Sequence, residues 1–399
     1  MQHANLFPLV RDLDVLATAK TRKQLVAELE AAFGDESKSC ESGGAAEAWR
    51  LKLNAFKDRE LFRVDMRHIL GDAAEFWQFS DEFSDLTEVV VDAACRKCEE
   101  ELRASFGDPY LPDGRPCPLS VCALGKCGGR ELGLASDIEL IFVYGGSGQT
   151  RGRSVITTAE FFEKLVQAFL GAIRAKREGV FEVDLRLRPY GKAGSLAVSV
   201  DAFRHYFAPG GPAWAYERQA LVKLRPIAGD ATFGREIGAL RDALLYRGQA
   251  FDVTAMRAMR ERQSRHLVAG GTFNAKFSPG GLVDMEYLVQ GLQIMHGFQE
   301  PRVRRANTRE AMASMAEVGI LTSDDLAPLQ KAHTFLRWLI DGLRVVRGHS
   351  RDVTVPPFGS EEFAFLARRL RYENDVARLR DDLAQHTAAV QELSTRLLG

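Results

Sequence analysis

The sequence predicts an α+β protein in which N-terminal helices lead into a small mixed-sheet domain, followed by an all-α helical bundle. Three observations carry this. Residues 8–35 and 46–106 place apolar side chains at three- and four-residue spacing, the period of amphipathic helices. From about residue 107 the texture changes to short apolar or alternating runs bounded by glycine and proline. From about residue 232 helical periodicity returns and runs to the end, interrupted by "GGTFNAKFSPGGLVD" and "RDVTVPPFGS". The expected domains are 1–110, 111–235 and 236–399.

The first two helical stretches are separated by "GDESKSCESGGAAE", a small polar linker. "FGDPYLPDGRPCPLS" is rich in turn formers and leads into the short apolar run "LSVCALGKCGG". A strand is predicted over 138–144, then an amphipathic helix over about 157–177. A second strand is predicted over 180–188, "VFEVDLRLR". Its alternation sets Phe181, Val183, Leu185 and Leu187 on one face and Glu182, Asp184, Arg186 and Arg188 on the other.

The 399 residues allow two or three domains, and 46% hydrophobic residues are enough for a sizeable core. A formal net charge of −1 gives no support to a nucleic-acid or membrane-surface role. No apolar run reaches the ~18 residues that span a bilayer, and the N-terminus lacks the layout of a signal peptide. A cytoplasmic protein is expected. Cys95 and Cys98 form a C-x-x-C on a helical pattern with no second pair to complete a zinc set, so they read as free thiols.

The stretch with chemical content is "ELGLASDIELIFVYGG". Asp137 and Glu139 flank Ile138 at the mouth of an apolar strand, and residues two apart on a strand share a face. Burying charge is costly unless it is paired or bound to metal. Asp184 lies on the polar face of the second strand. Three carboxylates from two neighbouring strands suit Mg²⁺, a hard cation that takes oxygen ligands and substrate phosphates. Two such ions ~3.5–4 Å apart would clamp the oxygens of a phosphoryl or nucleotidyl transfer. Gly128 and Gly129, read as a helix start, would let backbone N–H groups approach a phosphate, with Arg186 and Arg188 neutralising its charge. Each feature alone has a plain structural reading: an acid pair at a strand entrance, a glycine turn, a solvated sheet face. Their order along the chain is what favours a site.

Two segments, "GKCGGRELGLASDIELIFVY" and "VDLRLRPYGKAGSL", resemble the signatures of the glutamine synthetase adenylyltransferase family, within the DNA polymerase β-like nucleotidyltransferases. "WAYERQALVKLRPIAGD", "KFSPGGLVDMEYLVQGLQIMHG", "NTREAM" and "LRWLIDGLRVVRG" follow in the family's order, so the resemblance covers roughly residues 45–350. It implies that Asp137, Glu139 and Asp184 are the catalytic, metal-binding carboxylates, with Mg²⁺ or Mn²⁺ as cofactor and ATP as substrate. It further implies that Lys126, Gly128, Gly129 and Ser136 frame the nucleotide phosphates with Arg186 and Arg188 beside them. Lys223 and Arg225 are secondary phosphate candidates, and Glu217 with Arg218 reads as a structural ion pair.

Typical members of the family fuse two halves, one adding AMP to a tyrosine of glutamine synthetase and the other removing it by phosphorolysis. This chain holds one such unit. "GGLVDMEYLVQ" resembles the D-I-E-F variant of the adding half more than the R-E-I-E-F of the removing half. On a helix Asp284 and Glu286 lie about 200° apart and cannot act as the strand acids do, whereas Glu286, Gln290 and Gln293 share a polar stripe that reads as a structural seam or, alternatively, as a helix that docks onto the nucleotidyltransferase unit and closes its cleft. Glu139 stands where the family usually has Asp, and Cys127 where Leu is common. The resemblance implies glutamine synthetase as protein substrate and a PII-type protein as regulator, with no nucleic acid or membrane. Three alternatives stay open at this point: the removing reaction, AMP transfer to another protein, and a non-catalytic regulator-binding module.

Overall fold

The protein is described by a computed structural model covering residues 18–34, 44–71, 76–175, 180–248, 251–348 and 351–399. It divides into two compact units. The first comprises residues to 132, 136–213 and 224–241, and the second 133–135, 214–223 and 242–399.

The first unit begins with α1 (Arg22–Gly34), α2 (Gly44–Leu70) and α3 (Phe76–Phe106). The part of the first predicted helix before residue 18, and most of the polar linker, lie outside the described residues. The helical span 46–106 is two helices; the chain leaves helical geometry at Gly71, whose φ is +86°. α3 is the most deeply set of the three, with Phe79, Phe83, Leu86, Val90 and Val91 all buried.

The sheet follows. β2 (Leu119–Ala123), β3 (Ile138–Tyr144), β5 (Val183–Asp184), β6 (Ala197–Ser199) and β7 (Arg225–Gly229) form five strands in the order β5-β3-β2-β7, with β6 also on β3. β2 runs antiparallel to β3 and to β7, while β5 and β6 run parallel to β3. A small ladder of β1 (Pro109–Tyr110) and β4 (Gln149–Thr150) stands apart. The single turn α4 (Gly125–Gly128) joins β2 to the segment before β3. α5 (Thr158–Ala172) begins at a capping box of Thr157 and Glu160 and buries Phe161, Phe162, Leu165, Val166 and Phe169. Phe169 meets Phe142 of β3 edge-on at 5.1 Å between ring centres. α6 (Val200–Phe207) follows β6.

The strand predicted over 180–188 is confined to Val183–Asp184. Phe181 sits at φ +53°, outside the β region, and after Asp184 the chain turns, with the Arg188 N–H donating to the Leu185 carbonyl at 3.2 Å. Alternation therefore fails beyond Asp184: Arg186 is exposed, but Arg188 is buried.

α2 and α3 share a buried ionic network in which Glu60, Arg63, Arg67 and Glu82 are all buried. Arg63 donates to Glu60 at 2.8 Å and also to Glu82, which Arg67 contacts in turn. Burial opposes ionisation of Glu60, yet hydrogen bonds and charge from Arg63 and Lys20 outweigh it and hold its carboxyl below the ordinary glutamate range. A depressed folded pKa gives stability that is present above the unfolded value and lost as pH falls through the folded one. Melting temperature should therefore drop between about pH 5 and pH 3. In Glu60→Gln that acid-dependent drop should shrink, as measured by thermal denaturation across the pH series.

The second unit contains α7 (Ala215–Ala220), α9 (Val253–Leu267), α10 (Leu282–His296), α11 (Thr308–Glu317), α12 (Ser323–Arg347), α13 (Glu361–Arg369) and α14 (Val376–Leu398), while α8 (Ala231–Leu245) carries the chain from 231 to 245. Its core is aliphatic and methionine-rich, built on Met285, Leu288, Met312, Met315, Leu336, Leu339 and Leu366. The two interruptions in the helical pattern pair with each other: β8 (Phe273–Asn274) and β9 (Thr354–Val355) form an antiparallel ladder. Two members of the polar stripe of α10 hydrogen-bond within the second unit. Gln290 accepts from Gln219 at 2.8 Å, and Gln293 donates to the Val303 and Arg305 carbonyls at 2.7 Å each. Asp284 instead takes Arg260 at 2.6 Å and the Gly280 N–H at 2.7 Å. No described helix is long and apolar enough to cross a membrane.

Candidate active site

Asp137 and Glu139 are half-buried while Ser136, Ile138 and Leu140 are fully buried, the pattern of a strand with one face toward a cleft. In the parallel pairing of β3 with β5, Glu139 is the register partner of Asp184, so the two carboxylates start from adjacent Cα positions. Two carboxylates side by side repel unless a cation intervenes. Here that cation is Arg186, which donates to both carboxylate oxygens of Asp184 through Nε at 2.9 and 2.8 Å. The Arg186 backbone N–H adds a third bond at 2.8 Å.

The electrostatics join all three acids. The Arg186 guanidinium is pushed further up chiefly by hydrogen bonding to Asp184 and by its charge; burial opposes this, and Asp137 and Glu139 add to it. Burial alone would raise the Asp184 carboxyl, but the side-chain and backbone hydrogen bonds of Arg186 outweigh it and hold Asp184 below the usual aspartate range. The acids thus converge on one exposed positive group. Among the described residues, however, no three His, Cys, Asp or Glu side chains are drawn together closely enough to ligate one ion. Asp184 is engaged by Arg186, and Glu139 accepts the Lys126 backbone N–H at 3.1 Å. Carboxylate oxygen is the donor type that a hard divalent ion takes, but at Asp184 the positive partner in this structure is Arg186.

The glycines fall differently from the sequence expectation. Gly128 ends α4 and Gly129 caps it, so they form the exit of a helical turn and not its start. The glycine that the carboxylate needs is Gly125. Its φ is +49°, and an added Cβ would lie 1.7 Å from Glu139 Oε2. Glycine accepts that conformation without strain and leaves room for the Glu139 arm. Gly125 stands in the same "LGKCGG" run as the glycine pair, and the run itself does not mark it as the one beside the carboxylate. Gly125→Ala should cost about 1–2 kcal/mol for the left-handed backbone. Displacing the Glu139 carboxylate should lower any activity of the site by about 10²-fold. Melting temperature and turnover of the variant measure the two effects separately.

The remaining nominated residues have distinct places. Lys126 reaches toward Ser136 Oγ, with Nζ at 3.5 Å. Arg188 donates to the carbonyls of Leu185 at 2.8 Å, Ser195 at 3.0 Å and Gly194 at 3.2 Å, which makes it a clamp on its own loop. Arg225 donates to the carbonyls of Gly128 at 2.9 Å and Cys127 at 3.2 Å, bracing the glycine turn from β7. Behind it is Glu88 of α3, buried, which takes Arg225 at 2.7 Å, Arg22 at 2.7 Å and Arg130 at 3.0 Å. Glu88 has no local signal in the sequence, since its partners lie far along the chain. Lys223 belongs to the second unit, where it is buried 3.6 Å from Glu286. Glu217 accepts the Trp214 N–H at 2.8 Å and caps α7. Cys95, Cys98, Cys117, Cys122 and Cys127 are free and buried, and burial pushes the Cys98, Cys122 and Cys127 thiols up to about 12.

A family model described as glutamate-ammonia ligase adenylyltransferase matches residues 3–239, and one described as GlnD PII-uridylyltransferase matches residues 254–398. Among curated proteins, the bifunctional glutamine synthetase adenylyltransferase/adenylyl-removing enzyme of Aromatoleum aromaticum is 32% identical over 360 residues, covering 86% of this chain and 38% of its own. The protein of the same name from Hahella chejuensis is 34% identical over 293 residues, covering 71% and 30%. That from Thioalkalivibrio sulfidiphilus is 31% identical over 347 residues, covering 85% and 35%. The chain thus spans a little over a third, or less, of the length of these relatives.

Proposed function

Because the chain belongs to the glutamate-ammonia ligase adenylyltransferase family, we propose that it transfers AMP from ATP to a tyrosine hydroxyl of glutamine synthetase and so controls nitrogen assimilation. The observation that carries this reading is the in-register pair Glu139 and Asp184, with Asp137 on the same side of β3, all acting on one exposed cation position. A divalent ion, Mg²⁺ or Mn²⁺, is proposed to be held by Asp137, Glu139 and Asp184, where it would supply positive charge to the phosphates. Arg186, 64% exposed at its side chain, would exchange Asp184 for phosphate oxygens when nucleotide enters. Lys126, Ser136 and the N–H groups around Gly128 and Gly129 would line the phosphate path. Arg188 and Arg225 would act on that path by holding the loop and the glycine turn that border it.

In the proposed step the tyrosine oxygen bonds to the α-phosphorus as the bond from that phosphorus to the bridging oxygen breaks. The electron pair leaves with pyrophosphate, and the tyrosine proton passes to the Asp184 carboxylate. The second unit, matched by a model described as a PII-uridylyltransferase, is where a PII-type regulator would act. A cytoplasmic setting belongs to this reading, since ATP and reduced thiols are found there.

Incubation with α-labelled ATP, Mg²⁺ or Mn²⁺ and glutamine synthetase should place AMP on a synthetase tyrosine, read by mass spectrometry. A parallel arm with adenylylated synthetase and phosphate, without ATP, scores the removing reaction. Product in that arm alone would reverse the assignment. Label on other lysate proteins but not on the synthetase would redirect the target.

A further inference from the structure

We propose that Asp341 and Arg344 of α12 are positioning residues for the transfer step, acting through the backbone of Leu134. This deepens the adenylyl-transfer reading and rests on it. The Leu134 N–H donates to Asp341 Oδ2 at 3.3 Å, and Arg344 donates to the Leu134 carbonyl. Both polar groups of one buried residue's backbone are thus held by side chains more than two hundred positions along the chain. The grip is close: an added Cβ at Gly133 would lie 2.7 Å from Asp341 Oδ1. Asp341 is 2% exposed, and Arg344 is 3.8 Å from it.

What the grip holds is the chain that enters the site. Ala135 follows Leu134 at φ +51°, a left-handed conformation that costs a non-glycine residue ~1–2 kcal/mol. Such strain persists only where the surroundings over-determine it. Ser136 comes next, buried, and then Asp137, half-buried at the mouth of β3. The bond to the Leu134 carbonyl holds the peptide that leads into Ala135, and the bond from the Leu134 N–H holds the peptide before it, so together they restrict how the chain turns toward Asp137. None of this is local in sequence: "LRWLIDGLRVVRG" reads there only as a closing helix.

The test uses the full chain with Asp341→Ala, Asp341→Asn and Arg344→Gln. The asparagine variant retains an oxygen that accepts the Leu134 N–H, so it separates the hydrogen bond from the charge. The readouts are kcat and KM for ATP in AMP transfer, hydrogen exchange over 133–139, and melting temperature. Asp341→Ala and Arg344→Gln should each lower kcat by about 10-fold to 10²-fold with KM for ATP within about twofold. They should also speed exchange over 133–139, and Asp341→Asn should recover most of the rate and protection. The proposal is overturned if a folded Asp341→Ala protein keeps the parental kcat, if exchange over 133–139 does not change, or if Asp341→Asn restores melting temperature without restoring rate. If the parent itself transfers no AMP, the functional reading fails; unchanged exchange would then overturn the grip as well, while faster exchange would support it independently of activity.

Discussion

Asp184→Asn and Asp137→Asn should each lower AMP transfer by about 10³-fold, equivalent to ~4 kcal/mol of transition-state stabilisation, with the fold intact. Charge and packing separate at these positions. In Asp184→Asn the side-chain amide keeps an oxygen to accept the Arg186 backbone N–H, which in the native chain donates to Asp184 Oδ1 at 2.8 Å. The ion pair that is lost involves an Arg186 side chain 64% exposed, and water-facing pairs contribute ~0–1 kcal/mol. A melting shift of only a few degrees is therefore expected beside a large loss of rate. The charge itself has no substitute: either substitution removes one of the three carboxylates proposed to hold the ion. Single-turnover transfer from labelled ATP, measured beside thermal melting, tests both halves. Parental rates in either variant would remove that carboxylate from the site.

Glu88→Ala should give the largest stability loss among the predictions, about 3 kcal/mol. Removing one partner of a buried charge pair typically costs ~3–5 kcal/mol, because the other charge is left without compensation. The lower end applies because Arg22, Arg130 and Arg225 are 48%, 30% and 26% exposed at their side chains, and water can take over part of their solvation. For a unit of this size the loss corresponds to a fall in melting temperature of roughly 6–12 °C. Arg225 also braces the Cys127 and Gly128 carbonyls, so the variant should lose transfer activity below its melting point as well. Glu88→Gln, which keeps the shape and an acceptor, should show a smaller fall. Denaturation and turnover at about 20 °C, well below the transition, together distinguish this coupling from simple unfolding.

The candidate site was legible where its chemistry is written in local periodicity. The span Ile138–Tyr144 is a strand as expected, with Asp137 and Glu139 half-buried and Ile138 in the core. The register of β5 then brings Asp184 beside Glu139, as the reading of two neighbouring strands required. Legibility ended where alternation in the sequence outruns the strand. "VFEVDLRLR" alternates without a fault, yet only two of its residues are strand, and Arg188 turns inward to four carbonyls of its own loop. The Gly128–Gly129 pair stands out in the sequence, while Gly125, the glycine beside the Glu139 carboxylate, is marked only by the fold. The two interruptions of the C-terminal helical pattern were visible as breaks, but not as strands that pair across some eighty residues.

The sequence by itself determined where most helices and the central strand form, and which carboxylates share a strand face. Both follow from side-chain periods of 3.6 and 2, which any stretch of chain carries within itself. Tertiary structure decided which groups meet. Glu88 under the glycine turn, Glu139 in the space at Gly125, and Leu134 between Asp341 and Arg344 are contacts across separations that no local pattern encodes. A buried charge or peptide group must find its partner wherever the fold brings one within hydrogen-bonding distance, and that distance exists only once the chain has packed.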